Sequence, residues 1–480
     1  MKILFILNES TMHERMGIMC LSSALKERGH AVSLVLIERL GRSTIEERIG
    51  EDKPDIIAYS AMTGEHANLL EFNRVLKNKF CFVSVFGGPC ATFFPDLVNE
   101  DGVDAICVGE ADRAFPEFCS RMGDGGEYWK TPNFLCRHQG VVFRNPPMPL
   151  IEDLDSLPFP DRALMYEADP PLRKEGHKMF FAARGCPQKC SYCFNSTYNE
   201  LYKNKGAVVR LRSPENIVQE IVDVKSRYPL NVVWIDDDNF LAKPRTWLTN
   251  FAKLYKEKVG LPLSINIRAN FITGEMISCL KDAGLDSVWM GVECGNEEKA
   301  NAILRREMTN AANERAAALL HQYKIKFITQ NLIGLPVSDS FETDLETLDF
   351  NIRLRPTFGW ASILYPYPGT AIEAYAKEHG FLEGQARLLE TNKRSTAFRF
   401  SAAEARRINN LHKLFGLIVQ FPFLRKHVDR LCSLPMDALY VVLFYVWYGY
   451  NIKFRIYPFI SLRKEIMNYI VLCFKFVKKT

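Results

Sequence analysis

Three cysteines crowd the segment RGCPQKCSYCFN: Cys186, Cys190 and Cys193. They are spaced by three and then two residues, in a loop after the apolar run KMFFAAR (178–184). Thiols this close, in a chain read as lying in a reducing compartment, are metal ligands. Three ligands are one short of a closed zinc or 4Fe–4S site. One coordination position is left for an exchangeable molecule, which is a catalytic rather than a structural arrangement.

Other residues able to do chemistry end predicted strands. WIDDDNF (234–240) sets Asp236, Asp237 and Asp238 at one strand end. Arg268 ends the next, INIRAN, with a fork suited to a carboxylate. Glu293 lies in GVECGNEE (291–298) and Gly334 in NLIGLP (331–336). In the first 120 residues the strand ends carry Ser60, Gly87, Gly88, Gly109 and Glu110. Glycine there lets backbone approach a ligand closely.

The Cys-x3-Cys-x2-Cys spacing, with Tyr192 before the last cysteine, resembles the radical S-adenosylmethionine superfamily. The resemblance implies a 4Fe–4S cluster on Cys186, Cys190 and Cys193, its open iron chelated by the amino and carboxylate groups of S-adenosylmethionine. It implies that Tyr192 adjoins the cofactor, that an acidic residue among 236–238 faces the methionine amino group, and that Arg268 meets its carboxylate. It also implies that Glu293 contacts the cofactor and that Gly334 lies beside adenine. GVECG looks like the family's GVESG, with Cys294 in place of serine. Residues 16–32, 54–63, 85–96 and 103–112 resemble the cobalamin-binding domain that precedes many such enzymes. Ser60, Gly87, Gly88, Gly109 and Glu110 are then expected at the corrin and its nucleotide tail. One departure stands out. The Asp-x-His-x-x-Gly motif that supplies a cobalt ligand is absent, and His13, with Thr11 two residues before it, reads as a loop histidine.

These residues need a scaffold that brings strand ends together. Strand-like runs at 2–7, 31–37, 54–61, 81–88 and 104–109 alternate with helical spacing at 18–28 and 68–78, which predicts a doubly wound parallel sheet. Ligands in such sheets sit beyond the carboxyl ends of the strands. Residues 121–175, rich in Gly, Pro and acidic residues, read as linker. From 178 the rhythm resumes, with strands at 178–184, 231–236, 262–269, 286–293, 327–334 and 357–366. The helix from Pro214 has Ser213 as its N-cap. The expected architecture is α/β: a flavodoxin-like cobalamin-binding domain (1–135), a linker (136–175), a (β/α)6-type partial TIM barrel (176–375) and a basic helical region (376–480).

Composition bounds the function. With 480 residues, 47% hydrophobic and 24% charged, the chain is an ordinary globular protein of more than one folded part. A net charge of +5 is too balanced for a nucleic-acid binder. The basic excess lies wholly in 401–480, with 13 Lys+Arg against 4 Asp+Glu. MKILFILNES is too short an apolar run for a signal peptide, so a cytoplasmic location is expected. LRKEIMNYIVLCFKFVKK (462–479) has the pattern of a basic amphipathic helix, which caps the barrel mouth or lies on an anionic membrane surface.

The expected function is that of a cobalamin-dependent radical S-adenosylmethionine enzyme methylating an unactivated carbon of a small-molecule or lipid-linked substrate, including secondary metabolites. A flavodoxin or ferredoxin is the expected electron donor. Non-methylating cyclisation, rearrangement or oxidation is the alternative. A transfer-RNA methylthiotransferase ranks lower, because Cys20, Cys81, Cys90 and Cys107 are dispersed rather than grouped as a second cluster site. A corrinoid carrier would leave the cysteine loop unused.

Overall fold

The computed structural model describes residues 1–9, 14–62, 64–384 and 395–457. The chain forms two compact units. The first joins Met1–Gly185 to Thr197–Leu230, and the second joins Cys186–Ser196 to the chain from Asn231 onward. His13 and residues 462–479 lie outside the described residues.

The first unit is built on a sheet whose strands are β1 (Lys2–Leu7), β2 (Ala31–Leu36), β3 (Ile56–Ser60), β4 (Val83–Gly87), β5 (Ala105–Cys107), β6 (Phe134–His138) and β7 (Val141–Arg144). Their order is β2-β1-β3-β4-β5-β6-β7. The first five are parallel and the last two antiparallel. The parallel part has the flavodoxin-like order, and its switch point lies between β1 and β3. β1 and β3 are buried almost throughout, as strands covered on both faces must be. Their core includes Ile6, Ile57 and Phe86, with Tyr59 stacked on Phe86 at 4.4 Å.

Residues 136–175 are more regular than the linker expected. β7 extends the sheet, and two short helices follow, Arg162–Ala168 and Pro170–Lys174. Asp161 and Asp169 cap them, accepting from the backbone N–H of Leu164 and Leu172. Asp169 followed by proline is a helix start, which the turn-like composition concealed. The run 178–184 also divides, into β8 (His177–Phe180) and β9 (Ala183–Arg184), and β9 pairs antiparallel with β10 (Arg210–Leu211).

A buried ion network binds these pieces into the first unit. Arg162 donates to Glu14 at 2.6 Å and to Glu220 at 2.9 Å. Tyr166 and the Met179 N–H also donate to Glu14, and Arg212 to Glu220. All three members of the central triad are at most a few per cent exposed.

The second unit carries β11 (Val232–Ile235), β12 (Leu263–Ile267), β13 (Leu285–Glu293), β14 (Lys326–Ile333) and β15 (Phe358–Ile363). They are parallel and adjacent in chain order. The helices between them include Gly274–Ala283 and Asn310–Gln322, capped by Thr273 and Thr309. One face of the sheet is fully covered: Val233, Ile235, Ile265, Thr329, Ile333, Ala361 and Ile363 are buried. The alternate residues Trp234, Asp236, Asn266, Gln330, Leu332, Trp360 and Ser362 are only half-buried. Period-2 alternation therefore marks a second, less buried face lined by indoles, amides and a carboxylate.

Of the C-terminal region, the segment around Tyr457 lies at the end of the strands opposite the mouth. Tyr457 accepts from the Trp289 indole N–H at 3.0 Å and lies 3.3 Å from the Ser264 hydroxyl, in the first half of the strands. Ile452 and Ile456 pack beside it. The helix Ala402–Gln420 runs against β15. A Cβ on Gly416 would stand 2.7 Å from the Gly359 carbonyl oxygen, so a side chain there would hold the helix off the strand.

Candidate functional site

The cysteine loop leads into the helix Phe194–Leu201. Ser191 pins it: its hydroxyl donates to the Ile303 carbonyl at 2.6 Å and its N–H to that of Leu304 at 3.0 Å. The Ile372 N–H donates to the Ser191 carbonyl. Cys190 is 5% exposed, while Cys186 and Cys193 are half-buried.

Two guanidinium groups flank the Cys190 sulfur. Arg268 Nη1 and Arg306 Nη1 each lie 3.7 Å from Sγ. Arg268 also donates to the Arg306 carbonyl. Arg306 donates to the Tyr192 hydroxyl at 3.1 Å and to the Gly291 carbonyl at 2.7 Å, and lies 3.7 Å from the Glu293 carboxylate. Arg306 escaped the sequence reading. It sits in a loop between Arg305 and Glu307, both at positive φ, and no spacing pattern marks it.

Glu293 ends β13 with φ +68, a strained conformation for a side-chain-bearing residue. The β13–β14 register breaks there. A Cβ on Gly291 would stand 2.7 Å from Glu293 Oε1, so glycine at 291 makes room for that carboxylate. Burial pushes the Glu293 carboxyl up, against the pull of Arg306.

The three aspartates have different surroundings. Asp236 accepts from Asn266 Nδ2 at 2.7 Å, and burial raises its carboxyl to about 7. Asp237 is buried in an ion pair with Lys243, whose ammonium lies over the Phe240 ring at 4.4 Å. That carboxylate is committed to the fold. Asp238 accepts from Asn195 at 2.8 Å and so ties its strand end to the cysteine loop. Gly334 has φ +74 and its N–H donates to both Asp344 oxygens. Ile408 lies 3.1 Å from where a Cβ would stand, so glycine at 334 makes room for that side chain.

In the first unit, Ser60, Gly87 and Gly88 come together at the ends of β3 and β4. Gly88 has φ +87, and a Cβ there would meet the Ser60 hydroxyl and the Ala61 carbonyl at 3.1 Å. Gly87 is extended, with open space around it.

Gly109 and Glu110 depart from expectation. A Cβ on Gly109 would fall 2.0 Å from the Tyr202 hydroxyl, which accepts from the Glu110 N–H at 2.8 Å and from Asn133 at 3.1 Å. The space read as a nucleotide cleft is filled by a side chain of the same unit. The Glu110 carboxylate is held by Arg210 at 2.8 Å and receives the Ile151 N–H. Both residues therefore serve packing. Tyr202 lies 93 residues beyond Gly109, and local sequence carries no sign of the contact.

The donor set fits an iron–sulfur cluster. The buried Cys190 faces two cations whose Nε atoms have no protein partner, an environment suited to an anionic sulfur centre. Among the described residues no three His, Cys, Asp or Glu side chains close on a single ion. A cluster does not require that, because each cysteine binds a different iron. For a corrin, the fit rests on Gly87 at the end of β4, which has open space where a side chain would stand.

Comparison with known proteins agrees with this geometry. Residues 181–348 match the family model for the radical SAM superfamily, and residues 4–119 that for the B12 binding domain. An uncharacterized methyltransferase of Pyrococcus horikoshii is 25% identical over 377 residues, covering 76% of this chain and 79% of the relative. The anaerobic magnesium-protoporphyrin IX monomethyl ester cyclase of Rubrivivax gelatinosus is 26% identical, covering 68% of this chain and 60% of that protein. Among solved structures, the radical S-adenosylmethionine methyltransferase TsrM of Kitasatospora setae superposes with a TM-score of 0.65 at 17% identity, covering 80% of this chain and 78% of that one.

Proposed function

We propose, from the premise that this chain is a radical S-adenosylmethionine enzyme with a cobalamin-binding domain, that it methylates an unactivated carbon. Its cofactors are a 4Fe–4S cluster, S-adenosylmethionine and cobalamin. The observation that carries the reading is the cysteine loop, with Cys190 between two guanidinium groups, in a chain that also holds a B12-binding domain. The methyltransferase names of the Pyrococcus and Kitasatospora relatives support the choice of reaction.

When bound, the cluster with S-adenosylmethionine supplies a radical that removes hydrogen from carbon, and cobalamin supplies a methyl carrier. The chain's part is to bind, orient and exclude water. Cys186, Cys190 and Cys193 hold the cluster. Arg268 and Arg306 stabilise negative charge at the Cys190 sulfur, and Arg306 also fixes Tyr192 and Glu293. Glu293 and Asp236 are acceptors for the amino group of S-adenosylmethionine. Ser60, Gly87 and Gly88 receive the cobalamin tail. Trp289 fills the space between Trp234 and Trp360, so the lipid-linked or secondary-metabolite substrate lies over that face of the sheet nearer the carboxyl ends of the strands, where Asn266 and Gln330 offer amide contacts and Leu332 an apolar one. A flavodoxin or ferredoxin supplies the electron.

A second reading keeps the cofactors but transfers no methyl group, and the relative named as a ring-forming cyclase favours it. Holoenzyme incubated anaerobically with a reductant and methyl-labelled S-adenosylmethionine separates the two. Methyl transfer predicts S-adenosylhomocysteine and label on the corrinoid. Release of 5′-deoxyadenosine with an unlabelled corrinoid would overturn it.

A further inference from the structure

The helix Asp437–Tyr450, DALYVVLFYVWYGY, is apolar nearly all the way round. A helix of that kind is ordinarily buried on every side. Here only one side is. Tyr440 and Val441 pack inward, and Tyr440 joins the core formed with the helix Ala402–Gln420. Among the described residues the other side is exposed: Leu439, Val442, Leu443, Val446 and Tyr450 lie on it, and Phe454 continues the line just beyond the helix. The intervals of three and four residues place them on one stripe.

The concentration is local. Of thirteen exposed large apolar side chains among the described residues, nine fall between Phe421 and Phe454. Phe423, in the helical turn Pro422–His427, is 66% exposed, and Phe421 beside it touches Trp447. Scattered exposed apolar residues need no explanation, but a contiguous patch marks an interaction surface.

Charge selects the occupant. Among the described residues, 421–457 carry five Lys+Arg against two Asp+Glu. Lys426 and Arg430, in the segment preceding the helix, are exposed, as are Asp429 and Asp437, the former paired with Arg407 and the latter with Lys413. A second copy of the chain would bring the same cationic surface against itself across a two-fold interface, which like charges oppose. An anionic lipid surface meets both features, accepting the apolar stripe and its aromatics at headgroup depth while the cations face phosphate. No helix among the described residues is long and apolar enough to cross a membrane, so the stripe lies along the surface.

We propose that the exposed face of 437–454 docks this protein on an anionic lipid bilayer. The inference stands apart from the methyl-transfer reading and survives its failure. The test is flotation of the full-length holoenzyme with phosphatidylcholine vesicles, with and without phosphatidylglycerol, at low and high salt. The expected result is flotation with the phosphatidylglycerol vesicles, weakened by salt and reduced about tenfold or more in Leu443→Glu and Val446→Glu. Both side chains are exposed, so iron content and melting temperature should match the parent and show that the variants fold. Three results would overturn the proposal. The protein could stay in the soluble fraction with both vesicle types, which would mean that the face is covered by the chain's own remaining residues. The variants could float as well as the parent. Sedimentation could show a concentration-dependent dimer that the same substitutions abolish, which would assign the face to a second copy.

Discussion

Arg306 places its guanidinium Nη1 3.7 Å from the Cys190 sulfur and 3.1 Å from the Tyr192 hydroxyl, joining two members of the cysteine loop through one side chain. Through the Gly291 carbonyl and the Glu293 carboxylate the same group reaches the end of β13.

Removing that group should damage the site without unfolding it. Partners behind the ligands of a metal centre are typically worth about 10- to 100-fold in affinity or activity. Arg306→Ala should lower the rate of reductive S-adenosylmethionine cleavage by about that factor. Arg306→Lys should fall between, keeping charge but losing the fork. A parental rate in Arg306→Ala would remove Arg306 from the site.

Gly109 and Gly87 make an internal comparison. Gly109→Ala forces a methyl into the Tyr202 ring at φ +80 and should cost about 2–5 kcal/mol, from strain and overpacking together. Gly87→Ala, extended and with open space around it, should stay within about 0.5 kcal/mol. Thermal or urea unfolding reads both. Equal effects would contradict the assignment of Gly109 to packing.

The buried network of the first unit predicts a large loss from one substitution. Arg162→Ala leaves Glu14 and Glu220 without their shared cation and should destabilise the protein by about 3–5 kcal/mol. An unchanged denaturation midpoint would sink this.

Asp236 gives a pH dependence whose sign follows from its raised pKa. The folded group titrates at about 7, against an ordinary value of 3.8, because burial disfavours its charge; Asn266 opposes the shift, and Asp237 and Asp238 add to it. Between those values the folded state binds a proton that the unfolded state has lost, so stability falls as pH rises through this window. In the apoprotein, Asp236→Asn should match the parent near the lower value and be more stable above the upper one. Parallel melting curves at every pH would contradict it.

Much of this was legible because it is local. The strands alternate with amphipathic helices, Ser213 caps its helix as the sequence implies, and the cysteine loop is a contiguous signal. Asp236, Asp238, Arg268 and Glu293 were legible as strand-end residues. What was not legible depends on long-range packing. Tyr202 fills the space beside Gly109, Arg210 holds Glu110, and Ile408 covers Gly334, each across tens of residues. Asp237 and Asp238 are neighbours in sequence, yet Lys243 takes one and Asn195 the other. Arg306 is one of 61 Lys and Arg residues, and only the fold brings it to Cys190.

The most direct test is to reconstitute the protein anaerobically with iron, sulfide and hydroxocobalamin, and then to count iron and cobalt. About four iron and one cobalt per chain, with the iron lost and the cobalt kept in Cys186→Ala, is the predicted result. Iron retained in that variant, or no cobalt in the parent protein, would contradict it.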